Sequence, residues 1–450
     1  MVLILLFIVL QAGCREDSPT INNPPPGTGK GYYVSVSGND SNPGTLQLPW
    51  RTIQKSANTM QAGDTVYVMA GTYNEQVSPQ NSGTAGNYII YRNYQNDSVT
   101  IDGTGVILPN YAVGLFHIEN RSYIKVLKFR VINSGPNINN SGICVTTSNN
   151  IIIEKNRTYN TISSGIASWS STNITIDSNE VNLACNDGEQ ECITVATTSN
   201  FDVKNNYVHN GGPGTNGGEG ICIKDGSNNG RVYRNRVTNI PSRVGIYLDA
   251  HTRNTFNIEV YQNLVYNNIA SAFQLASEQG GLLQNIKIYN NIAYNNSVVG
   301  LMISDCCIST HPMQNITIIN NTFYMNGSGV WGGGILNDNP QAQNVIIRNN
   351  ICSQNLSFQV AMRDSVSLNN TTTDHNLIDG FRGYSGEIYG RDSVTGYPQF
   401  VNPSIFNFHL LTISPAIDRG SSSNAPAIDF DGISRPQGLG YDIGAYEFKP

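Results

Sequence analysis

The sequence is poor in charge and in the patterns that build amphipathic helices. Only 13% of its 450 residues are charged, and the net charge is −6. Because no long run of one sign occurs, we expect no basic face for nucleic acid. Leu-rich and Ala-rich stretches are scarce while Gly, Asn, Ser and Thr abound, which favours short strands joined by turns. The composition therefore predicts a β protein.

The sequence also lacks the paired cysteine motifs of zinc sites. Its eight cysteines include no Cys-x-x-Cys pair with a matching second half, which disfavours a structural zinc. Two interpretations stay open for the cysteines after Cys14. Cys185 and Cys192 are spaced to close a short disulfide loop in an oxidising compartment, whereas small buried strand residues are the alternative for the others.

One apolar run opens the chain, at residues 1–13, and it is too short to span a bilayer. It is typical of a signal-peptide core, and its ending Ala12-Gly13-Cys14 resembles a bacterial lipobox. Residues 15–31 are rich in Pro, Gly and Asn and predict a flexible tether. We therefore expect an exported bacterial protein, either a cell-surface or periplasmic lipoprotein or a secreted one. Contact with a membrane is expected only through this lipid anchor, and the protein is expected to be a monomer.

An internal repeat is the most informative feature of the sequence. Asparagine recurs eight times with spacings of 23, 27, 29, 28, 28, 30 and 29 residues, at Asn156, Asn179, Asn206, Asn235, Asn263, Asn291, Asn321 and Asn350. A period in this range indicates a stacked solenoid. Asparagine suits such a column because it tolerates a left-handed bend between strands and its amide can hydrogen-bond to the asparagine of the next coil.

A second column with the same period consists of short alternating strands. They include Ile143-Cys144-Val145, Ile193-Thr194-Val195, Ile221-Cys222-Ile223, Ile246-Tyr247-Leu248, Phe273-Gln274-Leu275 and Leu301-Met302-Ile303. With a period of two, the first and third residues of each triplet point inward and the middle residue points outward. Each coil has a further strand just before its asparagine, so the coils stack in parallel. We predict an all-β, single-stranded right-handed parallel β-helix with a short N-terminal capping helix.

The capping helix is predicted at residues 50–61, with Ile53, Ala57 and Met60 on one face. It would cover the first coil, whose edge would otherwise be open. The motifs around it are Tyr32-Tyr33-Val34-Ser35, Gly38-Asn39-Asp40-Ser41-Asn42-Pro43-Gly44-Thr45, Pro49-Trp50-Arg51-Thr52-Ile53-Gln54 and Gly63-Asp64-Thr65-Val66-Tyr67-Val68. Together they resemble the opening of exported bacterial β-helix proteins, including many polysaccharide lyases.

The C-terminal motifs extend this resemblance to residue 448. They are Ser414-Pro415-Ala416-Ile417-Asp418, Asp429-Phe430-Asp431-Gly432, Arg435 and Asp442-Ile443-Gly444-Ala445-Tyr446-Glu447, and they resemble a short closing module that follows such helices. The predicted organisation is a signal peptide at 1–14, the tether at 15–31, the β-helix at 32–400 and the closing module at 401–450. These motifs identify a fold and a family group but no reaction.

Candidate functional residues come from the outward positions of adjacent coils. Lys224 and Cys222 are expected to face solvent, in the same columns as Asp249 and Tyr247 of the next coil. Glu191 is expected to lie on Glu219 about 4.8 Å away, and two such carboxylates repel unless a cation or a shared proton intervenes. We therefore expect a calcium ion there. Its predicted ligands are Glu191, Glu219, Asp187 and Glu189.

This cluster resembles the site of β-helix polysaccharide lyases, in which a lysine is the base and Ca²⁺ neutralises a uronate carboxylate. The resemblance implies that Lys224 is the base and Glu219 a calcium ligand. It implies an arginine in the following coil, and Arg243 or Arg253 would have to supply it. The chemistry removes a proton from the carbon beside the carboxylate. The full set of expected catalytic residues is Lys224, Arg243, Asp249 and His251, and the expected substrate-binding residues are Trp169, Tyr247, Arg253 and Glu278.

Structural roles are the alternative for these residues. Lys224 and Asp249 would form a cross-strand ion pair, and a neighbouring carboxylate raises the pKa of a lysine, which is the wrong direction for a base. Three classes of function remain, in this order: a lyase of acidic polysaccharides, a glycoside hydrolase with paired carboxylates, and a non-catalytic glycan-binding surface protein. Each has a polysaccharide as its partner.

Overall fold

The chain winds into a right-handed parallel β-helix, as the repeat predicted. The computed structural model describes residues 29–187, 189–213 and 217–450. Successive coils place one strand each on three parallel sheets, which we name A, B and C. The signal peptide and most of the tether lie outside the described residues, and the first strand begins at Gly31, where the tether was expected to end. No helix in the described part of the chain is long and apolar enough to cross a membrane.

The bounds of the strands follow the coil period. Sheet A contains Gly31–Val34, Thr65–Val68, Ile89–Asn93, Ser122–Leu127, Asn149–Glu154, Thr172–Asp177, Ser199–Lys204, Asn228–Tyr233, Thr255–Tyr261, Leu283–Tyr289, Met313–Ile319, Ala342–Arg348 and Thr371–Asp374. Sheet B contains Gly71–Tyr73, Val99–Asp102, Arg130–Ile132, Arg157–Tyr159, Glu180–Asn182, Tyr207–His209, Arg236–Thr238, Leu264–Tyr266, Ile292–Tyr294, Thr322–Tyr324, Ile351–Ser353, Leu377–Asp379 and Val394–Thr395. Sheet C contains Val113–Glu119, Asn140–Thr146, Ile166–Trp169, Ile193–Ala196, Ile221–Lys224, Ile246–Asp249, Phe273–Ala276, Val299–Ile303, Gly333–Asn337 and Phe358–Met362.

The remaining elements lie at the two ends. A small antiparallel pair joins Phe400–Asn402 and Asn407–Leu410. The helices are Ile53–Thr59, Ser365–Asn369 and the 3₁₀ turn Pro403–Ile405. The first helix confirms the predicted cap, with Ile53, Ala57 and Met60 buried in the core. It is shorter than predicted because the Thr52 hydroxyl caps its N-terminus by accepting from Lys55 N, and Met60 is already extended.

The predicted asparagine column is a buried hydrogen-bond ladder at the turn from sheet A to sheet B. Each side-chain Nδ2 donates to the Oδ1 of the next coil at 2.9–3.1 Å, and Asn376 adds a ninth rung to the eight predicted ones. The left-handed bend was assigned to the wrong residue. Positive φ falls on the residue before each rung, such as Lys155 or Gln262. The role of asparagine in the ladder is therefore to form these buried amide hydrogen bonds, and it is not to provide a left-handed backbone.

The inward column of sheet A contains one matched pair of a large and a small residue. Phe201 and Gly230 are register partners in adjacent strands, and a Cβ on Gly230 would lie 2.0 Å from Cζ of Phe201. The ring occupies the space that a side chain at 230 would need. The ring of Phe201 therefore fills the core of its own coil and also that of the next coil, which contains Gly230.

We expect Gly230→Ala to lower the free energy of unfolding by about 1–3 kcal/mol, because the added methyl group overpacks the core against Phe201. Urea denaturation measures this change. Adding Phe201→Leu to Gly230→Ala should recover part of the loss. If the double variant is less stable than either single variant, the steric explanation is wrong.

The C-terminal motifs build a segment that lies along the side of the later coils. Arg435 Nη1 and Glu447 Oε2 form an ion pair at 2.8 Å, with both side chains fully buried. The segment accepts hydrogen bonds from side chains that precede the ladder asparagines. One of them is Gln262, whose Nε2 donates to the Asp429 carbonyl at 2.6 Å. Its apolar residues pack on the outer face of sheet B with the later-coil residues Ile292 and Ile351. The segment therefore covers sheet B from about the coil of residue 264 onward.

Candidate functional site

Two outward columns of sheet C bring the candidate residues together. The register confirms the predicted alignment, with Ala196, Lys224 and Asp249 in one column and Thr194, Cys222 and Tyr247 in the other. The expectation that these residues face open solvent is wrong. Cys222, Tyr247 and Asp249 are 1%, 6% and 2% exposed, because irregular segments before and after the strands cover them. Val244 and Cys306 are among the covering residues.

Lys224 is held by the coil before it. Its Nζ donates to Glu191 Oε1 at 2.7 Å and to Gln190 Oε1 at 3.0 Å. The same Nζ lies 5.5 Å from the ring centroid of Trp169, two coils away in the same column. The intervening residue is Ala196, whose small side chain leaves room for the lysine to extend along the column. The ammonium group therefore lies between a carboxylate and an aromatic ring.

The expected cross-strand pair of Lys224 with Asp249 is not the contact that forms, although the two residues are register partners. Burial is the largest single effect and would lower the pKa of Lys224, but the charge and hydrogen bond of Glu191, together with smaller effects of Cys222 and Glu219, outweigh it. The net pKa lies above its usual value. In this arrangement Lys224 is a cation.

Glu191 and Glu219 lie in adjacent coils, as expected. Burial and the charge of Glu191 raise the pKa of Glu219 to about 7, while Arg243 and Lys224 act in the opposite direction. Glu191 is 5% exposed, and its second oxygen, Oε2, accepts from the Thr194 hydroxyl at 2.6 Å. Of the two arginines considered from sequence, Arg243 is therefore the one whose charge acts on Glu219.

Asp249 marks the other side of Lys224. Burial and the charge of Glu278 raise the pKa of Asp249 to about 7. Its Oδ1 accepts from the backbone N–H of His251 at 2.8 Å and of Glu278 at 3.2 Å. The Tyr247 hydroxyl donates to Glu278. Tyr247 was expected to offer its ring to sugars, but the ring is buried and its hydroxyl positions Glu278 instead.

The other predicted residues lie further out. Arg253 is exposed, and its Nη1 donates to the Thr197 hydroxyl at 3.3 Å while its backbone N–H donates to Asp225. His251 is half-buried at the turn after Asp249. Asp187 Oδ1 accepts from Glu189 N at 3.0 Å, and burial raises the pKa of Asp187.

The four predicted calcium ligands, Glu191, Glu219, Asp187 and Glu189, remain a prediction. Among the described residues, one group of three has its ligand atoms within 4.8 Å of one another, and it consists of Glu278, Cys306 and Cys307. Burial and the negative charge of Glu191 raise the pKa of Glu219, so its ionised form is disfavoured. A divalent ion beside Glu219 and Glu191 would supply compensating positive charge, with its remaining oxygen ligands from water or a ligand.

Sequence reasoning missed two polar residues of this site. Gln190 and Thr194 hold Lys224 and Glu191 in place through the hydrogen bonds given above. The sequence predicted Thr194 only as the outward residue of the strand Ile193-Thr194-Val195. Its outward position three residues after Glu191 was the available signal.

Cys185 and Cys192 are both buried free thiols that contact each other.

A parallel β-helix that gathers an ammonium group, carboxylates and a tryptophan on the outer face of one sheet defines the class of carbohydrate-active β-helix proteins. Comparison with known proteins agrees. Residues 32–315 match the family described as Pel9A-like, right handed beta helix region, and residues 242–402 match a right-handed β-helix region. The chain belongs to the Pel9A-like right-handed β-helix family, and its fold is polysaccharide-lyase-like.

Individual relatives match over short segments. The uncharacterized protein YwoF of Bacillus subtilis is 38% identical over 100 residues, which are 22% of this chain and 21% of YwoF. Pectate lyase PEL9 of Emericella nidulans is 34% identical over 115 residues, 23% of this chain and 28% of PEL9. The chain thus spans about a quarter of these relatives. The crystal structure of pectate lyase Pel9A superimposes with a TM-score of 0.59 at 16% identity, over 94% of this chain and 97% of Pel9A, which shows the common fold.

Proposed function

We propose that this protein is a polysaccharide lyase that cleaves an acidic polysaccharide by β-elimination on the outer face of sheet C. The observation that carries the proposal is the position of Lys224 Nζ, 2.7 Å from Glu191 and 5.5 Å from the Trp169 ring centroid. Family membership and the pectate lyase among the relatives support it. The proposal includes export of the chain, on the strength of the apolar run at residues 1–13.

The proposed reaction removes the proton on the carbon beside a uronate carboxylate. Lys224, as the free amine, takes this proton. The electron pair of the broken C–H bond forms a carbon–carbon double bond, and the adjacent carbon–oxygen bond breaks. The leaving oxygen takes a proton from solvent or from His251, and Lys224 returns its proton to water. Trp169 offers a ring for a sugar to stack on, and Arg243 attracts the substrate carboxylate.

The base must lose its proton first, and the structure of the site suggests how this is controlled. Glu191 raises the pKa of Lys224 while the two are paired. A divalent cation held by Glu191 and Glu219 would neutralise them and polarise the substrate carboxylate. Lys224 would then lose its carboxylate partner, while burial continues to lower its pKa. The proposal therefore assigns Lys224 a base role only when the carboxylate pair is neutralised.

A glycoside hydrolase is the second candidate. Glu219 and Asp249 both have a pKa raised to about 7, so each can carry a proton or release it near neutral pH. A pair of such carboxyl groups is what acid–base hydrolysis of a glycosidic bond requires. This candidate needs no base role for Lys224, which would only balance the charge of Glu191.

Absorbance near 235 nm, where the new double bond absorbs, tests the proposal on acidic polysaccharides such as polygalacturonate and alginate. We expect a rise in the presence of calcium and a much smaller rise in the presence of a chelator. Reducing-sugar release without the absorbance rise would favour the hydrolase. Binding without either product would favour a non-catalytic glycan-binding protein.

A further inference from the structure

A cleft lies on a different face of the solenoid from the candidate site, at the outer face of sheet B and the turn from sheet A. It has a volume of about 560 Å³, and its thirteen lining residues include four cations and one carboxylate. The cations are Lys128, Arg130, Lys155 and Arg157, and the carboxylate is Glu180. In a chain of net charge −6, positive charge is thus concentrated at one place.

In the cleft, arginine lies next to arginine and lysine next to lysine in adjacent coils. Arg130 and Arg157 are register partners in adjacent strands, and Lys128 and Lys155 occupy the equivalent left-handed position of successive turns. Coils about 4.8 Å apart place these like charges next to each other, which is unfavourable without a counter-charge. Glu180 pairs with Arg157 at 3.2 Å and Glu154 pairs with Lys155 at 2.7 Å. The charge of Arg130 helps to lower the pKa of Asp102. In the described chain, neither Lys128 nor Arg130 forms an ion pair within 4.0 Å.

The cleft is open because the C-terminal segment does not reach it. The outward column that contains Arg157 continues through later coils as Leu264, Ile292 and Ile351, and that apolar part packs against the segment. The early part of the column stays polar and uncovered. Tyr159, two residues after Arg157, is 39% exposed at the rim. The face therefore changes from apolar and covered to cationic and open within one sheet.

We infer that this cleft is a second binding site for an acidic polysaccharide, separate from the candidate site on sheet C. Its ligand is a carboxylate-bearing sugar segment. Arginine forks and lysines bind carboxylates, the Tyr159 ring offers a stacking surface for a sugar, and the amides of Asn96 and Asn182 suit hydroxyl groups. The inference rests on the proposed function for the identity of the polymer. A polymer held in this cleft has a raised effective concentration at the candidate site.

Binding of polygalacturonate and alginate by affinity electrophoresis tests the inference, with neutral galactan and single-stranded DNA as comparison polymers. The double variant Arg130→Ala/Arg157→Ala is compared with Arg419→Ala/Lys449→Ala, which removes the same charge from exposed residues of the C-terminal segment. Each of the two double variants is made both with and without Lys224→Arg, so that binding is also measured without the proposed base. Melting temperatures check that each variant is folded.

We expect the cleft variant to bind acidic polymers at least about tenfold more weakly than the matched control, because two charge-assisted contacts are lost. The difference should disappear at about 0.5 M salt, where exposed charges are screened. In chains with native Lys224, the apparent KM should rise for long polymer and stay unchanged for short oligosaccharides.

Equal binding by the cleft variant and the matched control would overturn the inference, as would binding of DNA without binding of either acidic polymer. The outcome is separable from that of the lyase proposal. Loss of binding in the cleft variant, with no unsaturated product from any chain, would uphold the cleft and reject the lyase. Unsaturated product with unchanged binding would do the reverse.

Discussion

Lys224→Arg is expected to lower kcat by about 10²–10⁴-fold on the polysaccharide that the native protein cleaves, the range that a general base contributes. Arginine preserves the positive charge that Glu191 needs, but it does not lose its proton at neutral pH. Initial rates of absorbance increase at saturating substrate measure the change. Stability should be retained, since the buried carboxylate keeps a cationic partner.

Two further variants make this result interpretable. Lys204→Arg changes a lysine on the outer face of sheet A, where it pairs with Asp177 at 3.6 Å, and should leave kcat unchanged. Lys224→Ala should lose both kcat and stability, because Glu191 would be left buried without its partner. A Lys224→Arg protein with native kcat would limit Lys224 to charge balance and shift the chemistry to Glu219 and Asp249.

Arg435→Met is expected to lower the free energy of unfolding by about 3–5 kcal/mol, as removal of one partner from a buried ion pair does. The Arg435 guanidinium is fully buried, and it also donates to the Gly444 carbonyl at 2.8 Å. Methionine fills a similar volume but leaves the Glu447 carboxylate without a counter-charge. Urea denaturation followed by tryptophan fluorescence measures the loss.

Asp431→Asn is the matched control for this prediction. Asp431 pairs with His409 at 2.8 Å in the same segment, but both side chains are nearly half exposed. Such exposed pairs contribute at most about 1 kcal/mol. A loss in Arg435→Met no larger than that in Asp431→Asn would mean that the buried pair does not hold the segment in place.

The repeat made much of the fold predictable. The coil period fixes which residues become register partners, so the alignment of Lys224 with Asp249 and the asparagine ladder followed from spacing alone. The same spacing placed Glu191 beside Glu219. A period is a property of the backbone, and these contacts depend on the backbone.

The contacts of the candidate site were less predictable because they depend on side-chain reach and on irregular segments. Lys224 extends along its column past Ala196 to Glu191, although Asp249 is its register partner. Burial of Tyr247 and Asp249 comes from segments whose length varies from coil to coil, around Val244 and Cys306. No repeat encodes these segments. The order of pKa values in the site therefore required the three-dimensional structure.

The C-terminal segment has a consequence for how the protein folds. It follows the coils in the chain, so a solenoid that folds from its N-terminal end completes the apolar column of Leu264, Ile292 and Ile351 before the covering residues are in place. Until residues 414–448 fold onto it, the solenoid carries an exposed apolar stripe beside its growing strand edges, which is a hazard for aggregation.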